Sequence, residues 1–177
     1  HLTSARSAID RAEILRDIEA EISNRLSELR NILTGIAHLS ELTPRSLDYV
    51  LSFGEGLSTP ILCGAIRDLG FRVESFARGE VGIVTDDRFG EAKPLMKLTT
   101  QRVREKLLPL LETEAVPVVA GFIATTQDEI ITTLGRGGSD YTATILGAAV
   151  DADEVWIWTD VNGLMTADPK IEPSART

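Results

Sequence analysis

Between Ser7 and Ala37 apolar residues recur every three or four positions, at Leu15, Ile18, Ile22, Leu26, Leu29, Leu33 and Ile36, with Glu, Arg and Asp between them. That spacing sets them along one stripe of a helix, so the first part of the chain is predicted to be helical with one face buried. Gly35 lies near its end, and Thr43-Pro44 then supplies an N-cap followed by a proline at the first helical position, where the missing N–H costs nothing. The second helix carries Leu47, Val50, Leu51, Leu57, Ile61, Leu62, Ile66 and Leu69. Gly54, Gly56 and Pro60 are expected to interrupt it before Gly70 ends it. The two helices should pair as an antiparallel hairpin.

From Gly70 the pattern shortens. Phe71 to Ser75 and Val81 to Thr85 have the alternation of short strands, and a helix is predicted from about Thr100 to Glu112 with Val103, Leu107 and Leu111 on one face. The run Val116-Pro117-Val118-Val119-Ala120-Gly121-Phe122-Ile123 fits a buried strand. After a turn at Gln127-Asp128 come a short strand from Ile130 to Thr133, a glycine-rich turn, a helix from Ser139 to Val150 and a strand from Glu154 to Trp158. Such alternation predicts an α/β fold with a mainly parallel sheet covered by helices, whose ligands lie at the carboxyl ends of the strands. Arg136 and Asp160 both fall at such ends.

Length and charge narrow the choice of function. The 177 residues suit one well-buried domain, and 43% hydrophobic with 25% charged residues excludes a disordered or fibrous chain. A formal net charge of −9 opposes binding to a nucleic-acid backbone or an anionic membrane, so any phosphate site must be local. Cys63 is the single cysteine, which excludes an internal disulfide and makes the cytoplasm the simplest compartment. With His1 and His38 the only histidines, no protein-held metal site is expected. No apolar run is expected to reach the roughly 20 residues of a membrane span, and the N-terminus lacks the apolar block of a signal peptide.

Four segments could carry chemistry. In Thr133-Leu134-Gly135-Arg136-Gly137-Gly138-Ser139-Asp140-Tyr141, glycines allow a ligand to approach the backbone, the following helix aims unpaired N–H groups at it, and the arginine fork matches a carboxylate or phosphate. Ser139 or Asp140 is expected to cap that helix. Ser52-Phe53-Gly54-Glu55-Gly56 sets a carboxylate between two glycines, either for a ligand or as a solvated glutamate on an amphipathic helix. Trp158-Thr159-Asp160-Val161-Asn162-Gly163 ends a strand in groups that suit a ribose or a base edge, or else forms an Asn-Gly hairpin turn. In Thr166-Ala167-Asp168-Pro169-Lys170 the lysine faces a phosphate or water.

In this order the four segments, together with Val116 to Ile123, resemble the aspartate kinases of the amino acid kinase family, with similarity from about Leu47 to Glu172. The resemblance implies a three-layer α/β/α sandwich of the amino acid kinase type with an N-terminal helical hairpin. Residues 1–42 would be a helical insertion and 43–177 the α/β kinase core. It implies transfer of the ATP γ-phosphoryl group to the side-chain carboxylate of L-aspartate, the first step toward lysine, threonine and methionine, with Mg2+ accompanying the nucleotide. By the same resemblance Glu55 receives the substrate ammonium. Arg136 pairs with a substrate carboxylate, helped by Phe122, Gly138 and Ser139, and Asp140 orders the reaction centre. Thr159, Asp160, Met165 and Lys170 match nucleotide contacts, Met165 standing where tyrosine is common.

The family's opening Lys-Phe-Gly-Gly segment and its C-terminal ACT domains have no counterpart in this sequence. The isolated chain is therefore expected to behave as a kinase-domain fragment with little or no turnover, the longer protein being a homo-oligomer. The alternatives are a catalytically silent ligand-binding or assembly fragment, and a related kinase acting on another carboxylate.

Overall fold

The computed structural model describes residues 1–158, 166–167 and 171–176. It opens with α1 (Leu2–Ala8), α2 (Ala12–Leu39) and α3 (Pro44–Asp68), continues through β1 (Val73–Phe76), α4 (Met96–Leu111), β2 (Val116–Val119), β3 (Ile123–Thr125) and β4 (Ile131–Thr133), and reaches α5 (Gly138–Val150). β1 and β2 pair in parallel with Val73 opposite Val116, and α4 makes the crossover between them. β3 and β4 form an antiparallel pair with Ile123 opposite Thr133. The chain thus has an α/β fold, with helices packed around one parallel and one antiparallel strand pair.

The first predicted helix breaks in two at Ile9, whose backbone is extended. The N–H groups exposed by the break have an acceptor elsewhere: Asp68, at the end of α3, takes hydrogen bonds from the N–H of Asp10 at 2.9 Å and of Arg11 at 3.1 Å, and pairs with the Arg11 guanidinium at 2.9 Å. Those N–H donors, joined by Arg11, hold the Asp68 carboxyl below its ordinary range. Past Ile22 the apolar stripe of α2 is only partly covered, Leu26 and Leu33 remaining exposed. Ala5, Ile9, Ile18, Ile22, Phe53 and Leu57 form the core between α1, α2 and α3.

α3 departs from expectation in being continuous through Gly54, Gly56 and Pro60. Thr43 caps it as predicted, accepting the Ser46 N–H at 3.1 Å. Gly56 lies at a packing seam, where a Cβ would come within 3.0 Å of the Ala77 carbonyl and 3.2 Å of the Arg25 guanidinium. By length and composition α3 could also cross a membrane, against the expectation that no run would. Its buried residues nevertheless include Asp48, Ser52 and Thr59, polar groups satisfied by protein partners.

Two predicted strands are absent. Residues 81–85 form a buried loop making only single bridges, Val84 with Thr125 and Thr85 with Pro94. Residues 154–158 pair with no described strand, and Trp156 and Trp158 are exposed. Alternating hydrophobicity marks faces, but a strand also needs a partner. The strand-helix-strand unit therefore falls on β1-α4-β2 instead of around α5. α4 begins one turn earlier than expected and leaves Leu111 exposed. The second core joins Phe76, Val81, Ile83, Val103, Leu107, Ala124, Leu134, Ile145 and Ala149.

A polar triad ties α2 and α3 to the loop after β1. The Tyr49 hydroxyl donates to Glu28 at 2.7 Å, and the Arg78 guanidinium donates to Glu28 at 2.8 Å and to the Tyr49 oxygen at 3.0 Å. Burial works to raise the Glu28 pKa, but the hydrogen bonds from Tyr49 and Arg78 and the arginine charge outweigh it, so the carboxyl lies below its ordinary value. A depressed carboxyl stabilises the fold above its unfolded pKa, about 4.3 for glutamate, and loses that contribution as pH falls through the folded value. Glu28→Gln should accordingly flatten the loss of stability on acidification below about pH 4.3, as followed by urea unfolding with circular dichroism at stepped pH.

Candidate functional site

β4 leads through the buried Leu134 into the glycine turn, and α5 begins immediately after it. Gly135 and Gly137 have φ of +75° and +69°, a left-handed geometry that glycine adopts without a steric penalty. Gly137 is itself the N-cap and no side chain caps α5, which corrects the expectation that Ser139 or Asp140 would do so. Those two residues instead occupy the first helical turn. The Gly138 N–H bonds the Gly135 carbonyl and the Tyr141 N–H bonds the Gly137 carbonyl. Among the described residues the N–H groups of Ser139 and Asp140 have no backbone acceptor, as is usual for a first turn, and they carry the positive end of the helix dipole.

The turn between β2 and β3 backs this helix end. Gly121 lies against Ser139, and Gly138 lies against Phe122. Phe122 has φ +68°, an outlier for a bulky residue, and it is held there from both sides. Its N–H donates to the Thr142 hydroxyl at 3.0 Å, its carbonyl accepts the Leu134 N–H at 3.0 Å, and the Thr142 hydroxyl donates to the Gly138 carbonyl at 2.8 Å.

Glu55, half-buried on α3, shares a hollow of about 340 Å³ with Phe122, Gly135, Gly137, Gly138, Ser139 and Asp140. This volume is at the small end of ligand sites and suits a compact molecule. The two segments that the sequence singled out most strongly therefore meet, 80 residues apart. Arg136 rides on the turn between two of the lining glycines, exposed, and forms no ion pair among the described residues. The hollow thus joins a carboxylate from α3 to the N-terminal turn of α5 with its free N–H groups, while Arg136, next to lining glycines in sequence, does not itself line it; the combination complements a molecule bearing both an ammonium and a carboxylate. Thr159, Asp160, Met165 and Lys170 lie outside the described residues.

One buried residue escaped the sequence reading. Asp48 is fully buried on α3 and bonds to β4 and to the loop before α4. The signal was a stripe of polar or small residues at helical spacing, Asp48, Ser52, Gly56 and Thr59, along an otherwise apolar helix.

The model of the amino acid kinase family matches residues 2–177. Aspartokinase 3, chloroplastic, of Arabidopsis thaliana is 41% identical over 154 residues, which are 86% of this chain and 27% of the relative. The aspartokinase of Mycolicibacterium smegmatis is 42% identical over 134 residues, 75% of this chain and 31% of the relative. Among solved structures, E. coli aspartokinase III in complex with aspartate and ADP superposes with a TM-score of 0.82 at 34% identity, covering 90% of this chain and 35% of that one. The same enzyme with lysine and aspartate gives 0.79, also at 34% identity, covering 92% and 36%. The chain spans about a third of the length of these relatives. With the family model matched along almost all of its length and the fold shared with solved aspartokinase structures, the chain belongs to the amino acid kinase family.

Proposed function

We propose that this chain forms the substrate-facing part of an aspartate kinase, which transfers the γ-phosphoryl group of ATP to the side-chain carboxylate of L-aspartate. The observation that carries this reading is the single hollow shared by Glu55 and the first turn of α5. Glu55 receives the substrate ammonium. The α-carboxylate lies against the Ser139 and Asp140 N–H groups and pairs with Arg136, which leaves the side-chain carboxylate as the acceptor. Phe122 and Gly138 shape the floor, and Asp140 orders the reaction centre. An aspartate side-chain oxygen displaces ADP from the γ-phosphorus, with ATP and Mg2+ supplying the phosphoryl group and the charge neutralisation. Asp140 is an exposed carboxylate, the kind of single ligand that suits a Mg2+ ion otherwise held by water and phosphate oxygens. Thr159, Asp160, Met165 and Lys170 are assigned to the nucleotide, residues 1–42 to a helical insertion and 43–177 to the kinase core. Aspartate and ADP in the E. coli aspartokinase III complex support the choice of substrates.

Calorimetric titration of the chain with L-aspartate tests this. Arg136→Ala should weaken binding by about 10- to 150-fold, since a charge-assisted pair contributes roughly 1.5–3 kcal/mol. Glu55→Gln should abolish the preference for aspartate over succinate, which lacks the ammonium. Unchanged affinity in Arg136→Ala, or no aspartate binding by the parent chain, would overturn the assignment.

A further inference from the structure

We propose that Asp48 is a positioning residue that fixes the separation of Glu55 from the glycine turn. The proposal rests on the reading of the hollow as the aspartate site, but the contacts themselves do not. Asp48 is 0% exposed. One carboxylate oxygen accepts the Gly90 N–H at 2.9 Å and the Thr133 N–H at 3.1 Å, while the other accepts the Thr133 hydroxyl at 2.8 Å. It forms no ion pair among the described residues.

Helix geometry gives these bonds their meaning. Asp48 and Glu55 are seven residues apart on one continuous helix, hence on the same face and about 10 Å apart along the axis. Thr133 is the last residue of β4, two before Gly135. The Thr133 carbonyl accepts the Ala92 N–H at 3.1 Å, and the Gly90 carbonyl lies 3.5 Å from where a Cβ on Gly135 would sit. One carboxylate therefore locks the helix bearing Glu55 to the strand entering the turn and to the loop packed beneath it.

Three donors converge on Asp48, and an ionised carboxylate, which only accepts, matches them all. An asparagine of the same size can keep its Oδ1 on the two N–H groups, but its NH2 group then meets the Thr133 hydroxyl, which can no longer donate there. Leaving a charge buried without a cation is costly, so the group has little to recommend it as a general stabiliser. Its bonds go instead to residues flanking the site.

Amide hydrogen exchange and L-aspartate calorimetry on the 177-residue chain separate local from global roles. In Asp48→Asn, exchange should accelerate at least tenfold at Gly90, Thr133 and Leu134 while the β1 amides stay protected, and aspartate affinity should fall at least tenfold. Thr133→Val, which removes one donor and is expected to fold even where Asp48→Asn does not, should reproduce the local loosening with a roughly threefold loss. Thr133→Ser, which retains the hydroxyl, should restore parent behaviour. Exchange rising equally across the chain, or unchanged at Gly90, Thr133 and Leu134 in both Asp48→Asn and Thr133→Val, would overturn the proposal. If the parent chain fails to bind aspartate, the substrate reading fails, and the exchange pattern alone still decides whether Asp48 couples α3 to the turn.

Discussion

Gly121→Ala should abolish aspartate binding, with affinity falling at least 100-fold, and should also lower stability by about 1–3 kcal/mol. A Cβ on Gly121 would lie 2.9 Å from Cα, Cβ and Oγ of Ser139. Because one of these atoms belongs to the backbone, no rotamer change relieves the contact. The first turn of α5 must move away from the β2–β3 turn, carrying its N–H groups out of line with Glu55. Phe122 cannot follow freely, since its N–H and carbonyl are tied to Thr142 and Leu134. Calorimetry measures the binding loss and urea unfolding the stability loss. Adding Ser139→Gly removes two of the three contacts and should recover part of the stability. Parent-like affinity in Gly121→Ala would show that the helix end is not a wall of the ligand site.

Ile22→Ala should cost about 2–4 kcal/mol, the range for truncating a fully buried aliphatic side chain, and should leave the affinity for aspartate within about twofold of the parent. Ile22 is 0% exposed in the core formed by α1, α2 and α3, whereas the hollow is walled by α3, the β2–β3 turn and the start of α5. A stable α3 is common to both, so the variant separates the helical layer as support from the helical layer as part of the site. Urea unfolding and aspartate calorimetry on the same preparation check the pair of expectations. A large affinity loss in a folded Ile22→Ala chain would remove the division between residues 1–42 as an insertion and 43–177 as the core.

The two ends of the hollow were legible in residues with strong backbone preferences, a proline that fixes φ and glycines that take left-handed φ without penalty. Thr43-Pro44 starts α3, and Gly135 to Asp140 makes a turn into α5. The juxtaposition of Glu55 with that turn came from the family resemblance, because no local pattern relates residues 80 positions apart. Local propensity misled at Gly54, Gly56 and Pro60, where it predicted a break. In the structure the Glu55 carbonyl accepts the hydroxyls of Ser58 and Thr59, and Gly56 lets Ala77 and Arg25 approach. Local hydroxyl bonds within α3 and the close packing of Gly56 outweighed propensity at these positions.

Asp48 was missed because a single carboxylate on an amphipathic helix ordinarily faces water. Its partners at positions 90 and 133 are fixed by the loop and strand packing of the whole domain. Residues 154–158 failed in the opposite way: their composition suits a strand, yet they pair with none of the described strands.

The exposure of that segment bears on how the molecule reports its own state to light. Both tryptophans of the chain, Trp156 and Trp158, already face solvent in the folded form. Their emission should be that of hydrated indole before any denaturant is added and should shift little through the unfolding transition. The same two fluorophores would move to shorter wavelength if another polypeptide covered residues 154–158, which makes intrinsic fluorescence a probe of docking here and a blind one for unfolding.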